Sequence, residues 1–112
     1  MDIEMFREYC LSLPGTTEGI KWGEHLCFMI AEKMYVIIGL DEGSASFKCD
    51  PEEFEELTAR DGIMQAPHMA KKQWVKIVSL DVLNDQELKS LTATSRALVK
   101  SKLSKKMQAL YD

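Results

Sequence analysis

Two short apolar runs that stand only three residues apart constrain the fold of this chain most strongly. Residues 26–30 and 34–40 are rich in β-branched and aromatic types, and Ala31-Glu32-Lys33 separates them. Such a short connection suits antiparallel strands, whereas parallel strands need a long crossover that is usually a helix. The two runs therefore predict a β-hairpin, and with it an antiparallel sheet.

Helix start signals divide the rest of the chain. Asp50-Pro51-Glu52-Glu53 places a capping aspartate before a proline that has no amide hydrogen to lose, and a carboxylate follows three residues after the cap. We expect this helix to run to about Arg60 and to follow a third strand at residues 44–49. Residues 84–87 repeat the capping pattern and begin a long helix. A last helical turn is expected from Ser104.

Apolar spacing completes the predicted order of elements. Ile3, Phe6 and Cys10 recur at helical spacing after the capping residue Asp2, and residues 14–15 stop the pattern. Residues 16–18 are interpreted as a polar turn, and residues 74–79 as a fourth strand. The resulting order, α-βββ-α-β-α, predicts an α+β fold in which helices cover one face of an antiparallel sheet. A chain of 112 residues is expected to form one domain over residues 1–112.

Charge is unevenly distributed along the sequence. The net charge is −4, yet residues 1–66 carry fourteen acids and five bases, a balance of −9, whereas residues 67–112 carry four acids and nine bases, a balance of +5. Such segregation can produce a local positive field on an acidic protein. The basic C-terminal half is therefore the part of the chain in which contacts with nucleic acid are expected.

Several classes of function find no support in the sequence. Three cysteines are odd in number and form no Cys-x-x-Cys pair, so we expect reduced thiols in the core and no zinc site. Neither a Gly-x-Gly-x-x-Gly nor a Walker motif occurs, and neither histidine stands in a nucleophile-elbow pattern. These observations predict a protein that is not an enzyme and has no cofactor.

The N-terminus and the apolar runs predict a cytoplasmic protein. Residues 1–4 provide no basic region of a signal peptide, and the densest apolar run, residues 35–38, is much too short to span a bilayer. We therefore expect no membrane partner. A monomer is the expected oligomeric state.

Four segments together resemble the MmcQ/YjbR family over nearly the whole chain. They are Lys21-Trp22-Gly23, Glu32-Lys33-Met34-Tyr35, Phe47-Lys48-Cys49-Asp50-Pro51-Glu52 and Ala66-Pro67-His68-Met69-Ala70-Lys71-Lys72-Gln73-Trp74-Val75. The resemblance implies a frataxin-like (CyaY-like) fold of the double-wing type, and it implies DNA binding by structural analogy. Frataxins bind iron through acidic surface residues, so the resemblance also makes metal binding a rival interpretation for two acidic clusters, which are Glu52, Glu53, Glu55 and Glu56, and Asp2, Glu4 and Glu8. Carboxylates on helix surfaces are commonly solvated, however, and we predict no metal site.

The candidate nucleic-acid contacts combine cations with aromatic rings. Ammonium groups can contact phosphates, and tryptophan rings can stack on bases. The candidates are His68, Lys71, Lys72, Trp74, Lys76, Lys48, Lys100, Lys105, Lys106 and Trp22, and Lys102 extends the positive charge. The alternative for Trp74 is a core anchor, and the alternative for the lysines is a solvated surface.

Two functional hypotheses follow. The first is a non-enzymatic DNA-binding protein that binds weakly through its basic C-terminal half. The second is a module that binds a protein or a small molecule, with the acidic N-terminal half as its recognition surface. Salt separates the two, because phosphate binding weakens steeply with ionic strength and a mainly apolar interface does not.

Overall fold

The computed structural model describes residues 1–111 and contains six strands and four helices within them. The strands are β1 (Thr16–Lys21), β2 (His25–Ile30), β3 (Lys33–Gly39), β4 (Ser44–Lys48), β5 (Ile63–Gln65) and β6 (Trp74–Ile77). The helices are α1 (Ile3–Ser12), α2 (Phe54–Thr58), α3 (Asp85–Ser101) and α4 (Lys105–Ala109), and single 3₁₀ turns lie at Pro51–Glu53 and Leu80–Val82. Across residues 1–111, none of the helices combines the length and the apolar character that a bilayer crossing needs.

All six strands join one antiparallel sheet in the order β1-β2-β3-β4-β6-β5. The predicted α+β class and antiparallel sheet are confirmed, but the predicted number of four strands is wrong. Residues 16–18, for which the sequence predicts a polar turn, instead begin β1, which pairs with β2 along its whole length. The short strand β5, which pairs with β6, is also absent from the prediction. Both lie at the ends of the sheet and lack clear apolar alternation, because β1 has no fully buried residue and β5 has only one.

Capping residues begin the helices where the sequence places them. The side chains of Asp2, Asp50, Asn84 and Ser104 each accept a hydrogen bond from a backbone amide in the first turn. After Asp50 the chain first makes the 3₁₀ turn and then α2, which ends at Thr58, two residues before the predicted end. The observed caps confirm the predicted helix starts.

The main core lies between one face of the sheet and the helices α1 and α3. Phe6 of α1 packs edge-on against Phe28 and Phe47, at ring-centroid distances of 6.4 and 6.2 Å. All three cysteines are free and buried, as predicted. This face provides most of the buried apolar side chains.

Ser95 of α3 joins two strands through its hydroxyl group and is fully buried. Its Oγ donates a hydrogen bond to the carbonyl oxygen of Tyr35 at 2.6 Å and accepts one from the amide of Lys48 at 2.8 Å. Because Tyr35 lies on β3 and Lys48 on β4, one side chain fixes the position of α3 relative to both strands. It also fixes the backbone from which the Lys48 side chain extends.

The opposite face of the sheet carries a second, smaller apolar cluster. Cys27, Ile37 and Trp74 contribute to it from β2, β3 and β6, and Ala66 and Met69 pack there from the segment between β5 and β6. Apolar residues therefore lie on both faces of the central strands. This second face holds most of the candidate functional residues.

Candidate nucleic-acid interface and sheet-face cavity

The segment that carries His68 and the paired lysines owes its shape to Gln65, the last residue of β5. The Gln65 Nε2 donates to the carbonyl oxygens of Ala66 at 2.8 Å and Met69 at 3.4 Å, and its Oε1 accepts a hydrogen bond from the amide of Lys72 at 2.9 Å. His68 and Lys72 adopt left-handed backbone angles, with φ of 65° and 62°. The side chains of residues 68, 71 and 72 are exposed, as a surface contact requires.

Trp74 does not lie at the surface, so its predicted role as a stacking group is wrong. Its side chain is only 8% exposed and packs with Cys27, Ile37 and Ala66. The physical reason is that β6 has apolar partners on both of its faces, with Val75 in the main core and Trp74 in the second cluster. The alternative interpretation, a core anchor, is the correct one.

A surface depression of about 240 Å³, which we call the lysine hollow, brings together lysines from three elements. Lys33 begins β3, Lys48 ends β4, and Lys102 caps the C-terminus of α3. The floor is apolar and is formed by Met34, Trp74, Val99 and Leu103. Within residues 1–111, the three ammonium groups have no carboxylate at salt-bridge distance.

The structure brings Lys48 into this cluster but disperses the other predicted lysines. Lys76 lies on β6, which pairs with the strand of Lys48, yet its Nζ forms an ion pair with Glu42 at 2.9 Å. Lys72 lies 3.8 Å from Glu55. Of the remaining four, Lys71 is exposed next to Lys72, Lys100 is half-buried on α3, and Lys105 and Lys106 are exposed on α4. The basic C-terminal half thus does not form one continuous basic surface.

Trp22 is the aromatic candidate that remains accessible. It lies in the turn between β1 and β2 with 67% of its surface exposed and a left-handed φ of 53°. Its ring meets that of His25 edge-on, with centroids 5.7 Å apart. Its predicted role in stacking stays a prediction.

A larger cavity of about 510 Å³, which we call the sheet-face cavity, opens next to Trp22 on the second face of the sheet. Two cross-strand rows form its base: His25, Gly39 and Ser44 lie side by side, and so do Ile37, Ser46 and Lys76. The centres of these rows are small residues, which leaves the space open. The complete lining is Trp22, His25, Ile37, Gly39, Glu42, Ser44, Ser46, Pro67, His68, Met69 and Lys76.

The three cysteine thiols of the chain do not line the cavity. Burial raises the pKa of the Cys27 thiol, which lies on the same face, and that of the Cys49 thiol, and it raises the pKa of Cys10 to about 12. Protonated thiols are poor nucleophiles and poor metal ligands. In the described part of the chain, no three His, Cys, Asp or Glu side chains are placed to hold a metal ion.

Sequence reasoning did not identify Lys33, His25, Ser44 or Ser46 as site residues. Lys33 and Lys102 are distant in sequence and meet only because α3 crosses the ends of β3 and β4. The two serines stand in β4 at alternate positions, so a pattern of small polar residues on one strand face was the signal available for the cavity.

Comparison with known proteins gives one family and one fold. A family model described as YjbR matches residues 11–98. The crystal structure of Deinococcus radiodurans protein DR2400, which carries the domain DUF419, is 25% identical, with a TM-score of 0.88 over 96% of this chain and 86% of that chain. A Pseudomonas syringae protein is 23% identical, with a TM-score of 0.73 over 88% of this chain and 98% of that chain, and shows likeness of fold alone. No curated protein matches this sequence.

Proposed function

This chain belongs to the YjbR family, and from that premise we propose that it is a non-enzymatic, cytoplasmic, monomeric protein that binds DNA weakly through the lysine hollow. The observation that carries the proposal is the convergence of Lys33, Lys48 and Lys102 from three elements on one depression. Ammonium groups that lack a protein counter-ion can neutralise phosphates and release the condensed counterions of DNA. Contacts of this kind position a duplex without reading its sequence.

The apolar floor supports this function because it offers a surface for the aliphatic parts of the lysine side chains. The aliphatic parts of lysines commonly lie along apolar surface while the charged ends stay in water. Lys48 is half-buried, and Ser95 fixes its backbone amide at 2.8 Å. The Lys48 side chain therefore extends from a backbone position that a hydrogen bond fixes.

The predicted contacts of Lys71 and Lys72 extend this interface. Both precede Trp74, whose side chain lines the lysine hollow, by two or three residues. The distance between Lys72 and Glu55 is long, at 3.8 Å, and both side chains are at least 70% exposed. Such surface pairs contribute little free energy, so a phosphate can replace the carboxylate. Lys105 and Lys106 of α4 are supporting contacts in this proposal.

The test is a fluorescence-anisotropy titration with duplex and single-stranded oligonucleotides at several salt concentrations. We compare the parent protein with Lys33→Gln/Lys102→Gln and with the control Lys21→Gln/Lys89→Gln, which removes the same charge away from the lysine hollow. Removing one ammonium group that binds a phosphate should reduce the log-log salt slope by about 0.7 for single strands and about 0.9 for duplex. The first variant should show up to twice this reduction, and the control should keep the slope of the parent.

Two results would contradict the proposal. One is no binding to either oligonucleotide at low salt, where electrostatic attraction is strongest. The other is an equal reduction of the slope in the two double variants, which would indicate that net charge alone matters. In the first case the alternative, a module that binds a protein or a small molecule, takes its place, and in the second case DNA is bound without a defined role for the lysine hollow.

A further inference from the structure

We infer that the sheet-face cavity is a binding site for a small aromatic monocarboxylate. Its volume of about 510 Å³ is typical of cavities that enclose small ligands. The cavity lies around His25, Ser46 and Lys76, and none of the three lysines of the lysine hollow lines it. The inference is therefore independent of DNA binding, and each can fail without the other.

Trp22 provides the aromatic side of the site. A turn with two successive left-handed residues, here Trp22 and Gly23 with φ of 53° and 79°, normally favours asparagine or aspartate before the glycine. A bulky residue is uncommon in that conformation. Trp22 is also 67% exposed, so neither the turn nor the core accounts for a large ring at this position. A flat ligand that packs against its ring does account for it.

The opposite side of the cavity provides hydrogen-bond donors for a carboxylate. Lys76 is 21% exposed, and the hydroxyl group of Ser46 belongs to the residue directly opposite it across the strands. The ion-pair partner of Lys76, Glu42, is 60% exposed on a turn. A bound carboxylate can therefore share the Lys76 ammonium or displace the more exposed Glu42 side chain, because charge-assisted hydrogen bonds are the strong ones.

Glu42 also limits the charge of the ligand. One ammonium and one carboxylate line the cavity, so its charged groups balance before a ligand binds. A dianionic phosphate would meet only one cation and would be repelled by the carboxylate. A ligand with a single negative charge fits this arrangement better, and it fits the apolar contacts offered by Ile37 and Met69.

His25 lines the cavity and contains a buried polar atom. Its Nδ1 is buried, and among the described residues it has no hydrogen-bond partner. Buried polar atoms are usually satisfied, so an exception beside a cavity calls for an explanation. Because His25 lines the cavity, a ligand that turns its ring would bring this atom within reach of a polar group and provide the missing hydrogen bond.

The test uses 1-naphthoate and its neutral analogue 1-naphthamide as probes, followed by backbone amide chemical shifts in two-dimensional NMR. Naphthoate should shift the amides of Ser44, Ser46 and Lys76 in a saturable way and bind about tenfold more tightly than naphthamide, the effect of one charge-assisted hydrogen bond. Lys76→Gln should remove that difference. The control Lys71→Gln, which changes a lysine outside the cavity, should keep it.

Two further variants test the aromatic wall and the open base. Trp22→Leu should weaken both probes by about fivefold, through loss of ring packing. Gly39→Ala should weaken both by narrowing the base, where the added Cβ would lie 3.0 Å from Ser44 Oγ. Equal binding of the two probes to the parent protein, absence of saturation, or shifts centred outside the cavity would each overturn the inference. The comparison of the two probes needs only the parent protein, so it tests the inference even if a variant fails to fold.

Discussion

Replacing Ser95 by alanine tests the connection between α3 and the sheet. The fully buried Oγ makes hydrogen bonds of 2.6 Å to the Tyr35 carbonyl and 2.8 Å to the Lys48 amide, and Ser95→Ala removes both. Each buried group left unsatisfied costs about 1–3 kcal/mol. Two effects reduce this cost. The Tyr35 carbonyl and the Lys48 amide lose the same partner and can move towards each other, and alanine stabilises a helix by about 0.5 kcal/mol relative to serine. We therefore expect the free energy of unfolding to fall by about 2 kcal/mol, near the lower end of the range for two unsatisfied groups.

Urea denaturation followed by circular dichroism measures this change. The matched control is Ser90→Ala on the same helix, because Ser90 is exposed and its replacement improves helix propensity without removing a buried hydrogen bond. It should be neutral or slightly more stable than the parent. A decrease below about 0.5 kcal/mol for Ser95→Ala, the size of an ordinary surface effect, would refute the reasoning that the hydroxyl joins the two strands.

Two other predictions concern a helix cap and a buried thiol. Asp50→Ala should reduce the free energy of unfolding by about 1 kcal/mol, because the Asp50 carboxylate accepts a hydrogen bond from the Glu52 amide. An unchanged urea midpoint would contradict this prediction. Burial raises the pKa of Cys10 from 9.0 to about 12. The unfolded chain therefore loses this proton first, so stability that is complete below pH 9 declines as the pH rises towards 12. Urea titrations across this range should show a shallower decline for Cys10→Ala, and parallel curves would argue against the thiol as the cause.

Local signals in the sequence predicted much of the fold. Capping residues such as Asp50 and Asn84 act within one helical turn, so the sequence alone contains the whole interaction. The same holds for the hairpin formed by β2 and β3, whose connection is short. The edge strand β1 also pairs with its neighbour across a short turn, but none of its residues is fully buried, so it lacks the apolar alternation that predicts a strand. The strand β5 was missed because it is only three residues long. The side-chain hydrogen bond of Thr16 with the hydroxyl group of Tyr35, at 2.7 Å, likewise has no signal in the sequence.

The candidate sites were less accessible to sequence reasoning. The sequence around Trp74, with its neighbouring lysines, is compatible both with a ring that stacks on bases and with a ring that anchors the core. Only the packing of the second apolar cluster distinguishes the two. The lysine hollow needs the pairing of β4 with β6 and the position of the end of α3, which bring together residues that are far apart in the sequence. No local pattern carries that information.

The two ends of the sheet differ in the features that oppose the addition of strands from other molecules. An open sheet presents unpaired backbone groups along its outermost strands, which can recruit strands from other molecules. Here β5 is only three residues long and is soon followed by Pro67, so it offers little backbone to pair. The opposite edge, β1, is six residues long but carries Glu18 and Lys21, and Glu18 is held by Arg7 at 2.6 Å. The short length of β5 opposes strand addition at one edge of the sheet, and the charged side chains of β1 oppose it at the other edge.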